Sequence, residues 1–138
     1  MQYKKSFTIY LLIICVVFQG ISGLIGGISL INDPTGDNLG LPIKWLHGLP
    51  FENYLIPGII LLTILGIFPI LVSAGLIARN KRALTSARLV GFALVIWIAV
   101  EIYITGYQTE PPLQLIYGIL GIIILLLVYS TSVTNYYT

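Results

Sequence analysis

Glu101 is the one acidic or basic residue set well inside an apolar run of this 138-residue sequence. An ionised side chain at a bilayer centre costs about 2.5–3.5 kcal/mol. Ten Leu, Ile, Val and Phe residues between positions 89 and 104 return roughly 3–6 kcal/mol on the same scale. A helix here inserts with little margin, and the cost falls if Glu101 faces protein, carries its proton or touches water. Two roles are open to such a carboxylate. It can lock helices together through hydrogen bonds, or it can hold a proton, an ion or a ligand.

Helical spacing and depth select its expected neighbours. Trp97, Glu101, Thr105 and Gln108 follow one another at i,i+4 and share a helix face. Glu101 lies about six residues, or roughly 9 Å, from the outer end of its run. The same depth falls near Tyr117 in the fourth apolar run, near Thr63 in the second, and near Gln19 and Ser22 in the first. Gln114 sits at the outer rim, and His47 lies in the segment that would roof the site. The expectation is a small polar ligand-binding pocket opening outward, made from Glu101, Trp97, Thr105, Tyr117, Gln114, Gln19, Thr63 and His47.

Other chemistries find little support. His47 is the only histidine, and a lone histidine does not make a zinc site. Asp33 and Asp37, with Asn32 and Asn38, do not match the D-x-[DN]-x-[DN]-G calcium loop. Neither a metal nor any other cofactor is expected. Cys15 is the only cysteine, which excludes an internal disulfide and the paired-cysteine chemistry of membrane dithiol oxidoreductases. No phosphate loop, nucleophile elbow, H-E-x-x-H or catalytic triad spacing is present. No basic stripe points to nucleic acid.

The elements that must carry these residues are four apolar runs, at residues 7–30, 55–78, 89–107 and 113–129. About 20 apolar residues in a helix span a hydrocarbon core about 30 Å thick. The chain is 57% hydrophobic and 9% charged, with a mean hydropathy of +0.98. Soluble domains carry about 25% charge. The predicted fold is an all-α integral membrane protein, a single membrane domain built as a four-transmembrane-helix bundle. A long outer loop, 31–54, joins the first two helices.

Charge placement predicts orientation. Lys4, Lys5, Arg79, Lys81, Arg82 and Arg88 fall on one side of the spans, against Lys44 on the other. Basic loops stay in the cytoplasm, so the prediction is N-in and C-in, in the cytoplasmic membrane. The first run also resembles a signal peptide, but it continues past the usual apolar length and no A-x-A cleavage site follows. A retained helix is expected. The basic stretch 79–88 suits anionic lipid headgroups.

Local signals predict packing. Gly20, Gly23, Gly26 and Gly27 crowd the first run, and Gly23 and Gly27 form a G-x-x-x-G pair for close helix contact. The partner helix could belong to the same chain or to another. Pro57 suits a first helical turn. Pro69 should kink the second helix and free a carbonyl near Leu65, as a hinge or as a static bend. In the loop, Asn32-Asp33-Pro34-Thr35-Gly36 reads as a turn. Trp45, Phe51 and Tyr54 suit the interfacial aromatic belt. The polar tail, 130–138, is expected to fray.

Gly26-Gly27, Leu30, Asp33-Pro34-Thr35-Gly36 and Pro57-Gly58 together resemble small four-helix membrane proteins of bacteria that lack an assigned role. The resemblance covers residues 20–66 and implies a bacterial inner-membrane location, with no activity attached. Small multidrug exporters are similar in size and helix count, but their embedded Glu lies in the first helix and their loops are short. Two functions are carried forward. One is a non-enzymatic accessory or interaction protein, docking another membrane protein or a second copy in the lipid. The other is a small transporter or ligand-binding bundle around Glu101.

Overall fold

The computed structural model describes residues 7–36, 53–105 and 113–137. Most of these residues are helical, with no strand among them. Helix α1 is Phe7–Asn32, and α2 is Leu55–Ile77. Helix α3 is Lys81–Thr105, α4 is Leu113–Val128, and α5 is the short Thr131–Tyr136. Three of them, α1, α2 and the Lys81–Tyr103 part of α3, are long and apolar enough to cross a membrane. Helix α4 is apolar but shorter, about 24 Å at 1.5 Å per residue over its 16 residues.

The exterior has the composition that lipid requires. In the most apolar windows of α1, α2 and α3, only 39%, 28% and 39% of the residues are buried. Ile14, Leu71, Ile96 and Leu126 stand outward, exposed like many other large apolar side chains. Water would penalise such a surface at about 25 cal/mol per Å², whereas hydrocarbon does not.

Inside, two antiparallel pairs form, α1 with α2 and α3 with α4. Glycine sets both contacts. A Cβ on Gly23 would run into the Leu65 carbonyl, and one on Gly27 would lie 2.6 Å from the Leu62 Cβ. The glycine pair of α1 therefore meets α2 of the same chain. On the other side a Cβ on Gly121 would come within 2.8 Å of Val95. Close backbone approach maximises dispersion contacts where lipid offers no hydrophobic drive.

Helix ends follow local chemistry. Pro57 occupies the first turn of α2, beside a Leu55 N–H that donates to Asn53 Oδ1 at 3.0 Å. Pro69 does not stop α2. The chain takes one π-helical stretch, Thr63–Ile67, and then continues as Phe68–Ile77. Helix α2 closes in a Schellman motif, with Asn80 N–H on Gly75 O and Arg79 N–H on Leu76 O. Arg79 takes the left-handed position, at φ 59°. Helix α3 starts at Lys81, earlier than the apolar run at 89, because Asn80 Oδ1 caps the Arg82 N–H at 2.9 Å. The apolar run marks what lipid tolerates, while the cap marks where the helix begins.

The described part of the tail, up to Tyr137, folds back and packs. Ser130 caps α5 by accepting from the Val133 N–H, and Val133, Tyr136 and Tyr137 are buried in one cluster with Ile9, Leu12, Val72 and Leu76. Polar composition misled because the tail's apolar residues sit on one helical face. The Tyr137 hydroxyl donates to Leu76 O at 2.7 Å, a second donor on the carbonyl that also accepts the Arg79 N–H.

Candidate functional site

The residues expected to surround Glu101 separate into layers. The outermost contains Glu101 itself, half-buried in α3, with the indole of Trp97 hydrogen-bonded to its carboxylate. The i,i+4 spacing makes that bond within one helix. Tyr54, immediately before α2, is buried and lies in the electrostatic reach of Glu101. Burial first, and then the Glu101 charge, push the Tyr54 hydroxyl above its usual pKa. The Tyr54 N–H donates to Pro34 O at 2.8 Å, so the ends of α1 and α2 are pinned together there. Gln114 is buried in the first turn of α4.

A second layer lies beneath. Trp97 and Tyr117 pack against Leu65, Leu94 and Ile98, and Tyr117 stacks on Phe18 of α1 with ring centroids 6.0 Å apart. Trp97 thus bridges the layers, with its indole nitrogen on Glu101 and its ring on the apolar cluster.

Gln19 belongs to a third, deeper level. It is buried, and its Nε2 donates to Leu65 O at 3.0 Å. Proline at 69 has no N–H for the Leu65 carbonyl four residues earlier, and the side chain of a neighbouring helix takes that acceptor. Leu65 lies ten residues beyond Leu55 in α2, about 15 Å further along the axis. Gln19 Oε1 is buried with no hydrogen-bond partner among the described residues.

Thr63 does not join the set. It is exposed, and its hydroxyl donates back to Ile59 O at 2.9 Å within α2. Depth alone selected it, and depth does not fix which face of a helix a residue occupies. His47 and the side chain of Thr105 lie outside the described residues. Tyr54 is the neighbour that sequence reasoning missed. Its place at a helix end marks it as an interfacial aromatic, and no periodicity relates a residue before one helix to a residue within another.

Chemically, the outer layer is a carboxylate with an indole donor and a phenol nearby. It has the parts to hold a proton or bind a small polar or cationic group. Among the described residues no group of three or more His, Cys, Asp or Glu side chains could hold a metal ion. Comparison with protein-family models, with curated proteins and with solved structures gave no match, so the resemblance of residues 20–66 rests on their motifs alone.

Proposed function

We propose that this chain is a non-enzymatic accessory protein of a bacterial cytoplasmic membrane, with four spans, both termini inside, and an outer loop that docks another membrane protein. One observation carries the reading: the stem of the outer segment is pinned. Tyr54 N–H meets Pro34 O, Gly36 N–H meets Asp33 O at 3.1 Å, and Gly36 takes φ 82°. The described ends of the long insertion are thus held together, as in a compact functional loop. Its sequence includes Leu41, Ile43, Trp45, Leu46, Leu49 and Phe51, an apolar content suited to a partner surface. Because Gly23 and Gly27 already meet α2, the segment 37–52 is the better docking element.

Site-specific photo-crosslinking in native membranes tests this. A crosslinker at Trp45 or Phe51 is expected to trap one discrete protein adduct, while one at the outward-facing Leu71 yields lipid adducts. Lipid adducts alone from all three positions would overturn it. The second reading, a ligand-binding or transporting bundle, is favoured by the Trp97–Glu101 bond beside Tyr54. A pH-dependent flux or ligand affinity that Glu101→Gln abolishes while the fold survives would select it over the first.

A further inference from the structure

The turn between α2 and α3 concentrates positive charge, and no acidic side chain belongs to the helices that form it or to α4 and α5, apart from Glu101 near the far end of α3. Arg79, Lys81, Arg82 and Arg88 fall in ten residues, and neither 53–100 nor 111–138 contains any Asp or Glu. Arg79, Lys81 and Arg82 are all exposed. We propose that Arg79, Lys81 and Arg82 together hold the phosphate of an anionic phospholipid headgroup.

Three physical features converge on that ligand. First, Lys81 and Arg82 occupy the first turn of a 25-residue helix with no acidic residue in that turn. This is the positive pole of the helix, where cations are disfavoured and an anion is favoured. An external phosphate relieves the repulsion that these two residues bring to the pole.

Second, Arg79 stands where glycine is the economical residue, in the left-handed closing position of α2. Its side chain is aimed rather than free. Nε donates to Tyr136 O at 3.0 Å, and the guanidinium lies 4.5 Å from the centroid of the Tyr136 ring. One edge of the planar fork is held by the protein, and the exposed residue offers the rest to an oxyanion.

Third, the level is that of a headgroup. Arg79 follows Ile77, the last residue of a membrane-length helix, by two positions. Arg88 lies six residues beyond Arg82, about 9 Å along α3. It rests over Tyr129, 4.6 Å from the ring centroid, with Nη2 3.5 Å from Val128 O. Tyr129 and Phe92 beside it are exposed and in edge-to-face contact at 6.5 Å. Arginine on an exposed aromatic pair at the end of a span is an interfacial anchor. It fixes how deep the turn sits and brings residues 79–82 to the phosphate plane.

The test is lipid selectivity of the full chain. Reconstituted into phosphatidylcholine vesicles with phosphatidylglycerol as minor component, the protein is expected to enrich spin-labelled phosphatidylglycerol over spin-labelled phosphatidylcholine. Lys81→Gln with Arg82→Gln should remove most of that preference. Each cation removed should cost about fivefold at low salt, the equivalent of about 1 kcal/mol. Unchanged melting of this double variant in detergent shows that the fold survives. Lys44→Gln, which alters a basic residue outside the turn, should leave the preference intact. Equal association of both lipids with the parent, or full selectivity in the double variant, overturns the proposal. Displacement of the lipid by inorganic phosphate, but not by chloride at equal ionic strength, assigns the site to soluble phosphate and overturns the lipid source.

Discussion

At the end of the molecule formed by the α2–α3 turn and α5, polar side chains tie one helix to another. Tyr137 donates to Leu76 O, Arg79 to Tyr136 O, and Arg88 lies near Val128 O. All three acceptors are carbonyls in the last turns of helices, where the regular ladder of intrahelical bonds runs out. At the other end the Trp97–Glu101 bond runs within α3, and the Tyr54 N–H on Pro34 O joins α1 to α2 through main chain. The first end uses polar chemistry to close the structure. The second keeps a carboxylate half-buried beside an aromatic pair and closes its stem through main chain. The α1–α2 contact joins the two ends.

Breaking that contact should have the largest effect. Gly23→Leu puts a branched side chain where even a Cβ meets the Leu65 carbonyl. Overpacking alone costs about 1–3 kcal/mol, and this backbone cannot retreat without losing the Gln19–Leu65 bond. The expected outcome is loss of folded protein after detergent extraction, seen as aggregation in size-exclusion chromatography. Gly118→Ala is the counterpart, because its Cβ would lie 3.6 Å from Ile98 in ordinary contact. It should melt within about 0.5 kcal/mol of the parent. A tolerated Gly23→Leu would show that α1 and α2 can part freely.

The closed end is tested by Tyr137→Phe. Loss of the buried bond to Leu76 O should cost about 1 kcal/mol. Burial, then the neighbouring Tyr136, push the Tyr137 hydroxyl up to about 12, partly countered by Arg79. The unfolded chain ionises near the ordinary value of 10.0. Stability owed to the neutral phenol is therefore full below pH 10.0 and falls as pH rises towards about 12. Tyr137→Phe should flatten this alkaline loss. An unchanged alkaline slope in the variant would mean that another group governs it.

What could be read from sequence depended on the range of the signal. Apolar runs and Pro69 act locally, so the helices and the freed Leu65 carbonyl were legible before any packing was known. The partner of that carbonyl was not, because Gln19 lies 46 positions away and depth arithmetic assigned it to Glu101. Thr63 erred in rotation, since a hydroxyl can bond its own helix as readily as a neighbour. The tail erred because composition averages over faces, hiding Val133, Tyr136 and Tyr137 among polar residues. Arg79 on Tyr136 was invisible because both are ordinary interfacial residues whose meeting depends on how α5 folds back.

At the other end, Glu101→Leu should cost about 1–2 kcal/mol by leaving the Trp97 indole without its acceptor. Glu101→Gln retains an acceptor oxygen and should melt close to the parent. If the Leu variant is as stable as the Gln variant, the carboxylate contributes nothing to the fold and its place near Tyr54 is functional alone. That result would sharpen the contrast with the Tyr137 end, where the polar group is structural.

The smallest expected effect separates the two ends electrostatically. Tyr54 is raised by burial and by the Glu101 charge, whereas Tyr137 is raised by burial and by Tyr136. Neutralising Glu101 by Glu101→Gln removes one of the two causes acting on Tyr54 and neither of those acting on Tyr137. The Tyr54 midpoint should fall but stay above that of a free tyrosine, because burial persists. The Tyr137 midpoint should not move, since its perturbers lie at the opposite end of the spans, beyond a Debye length of about 8 Å. Carbon NMR of labelled tyrosine rings, with Tyr54→Phe and Tyr137→Phe for assignment, follows both titrations in one sample. A Tyr54 midpoint that ignores the substitution would mean that solvent screens Glu101 from it, and the outer layer would then be two independent groups. Movement of both midpoints together would mean that the substitution alters the packing of the whole helix set, and the electrostatic separation of the two ends would fail.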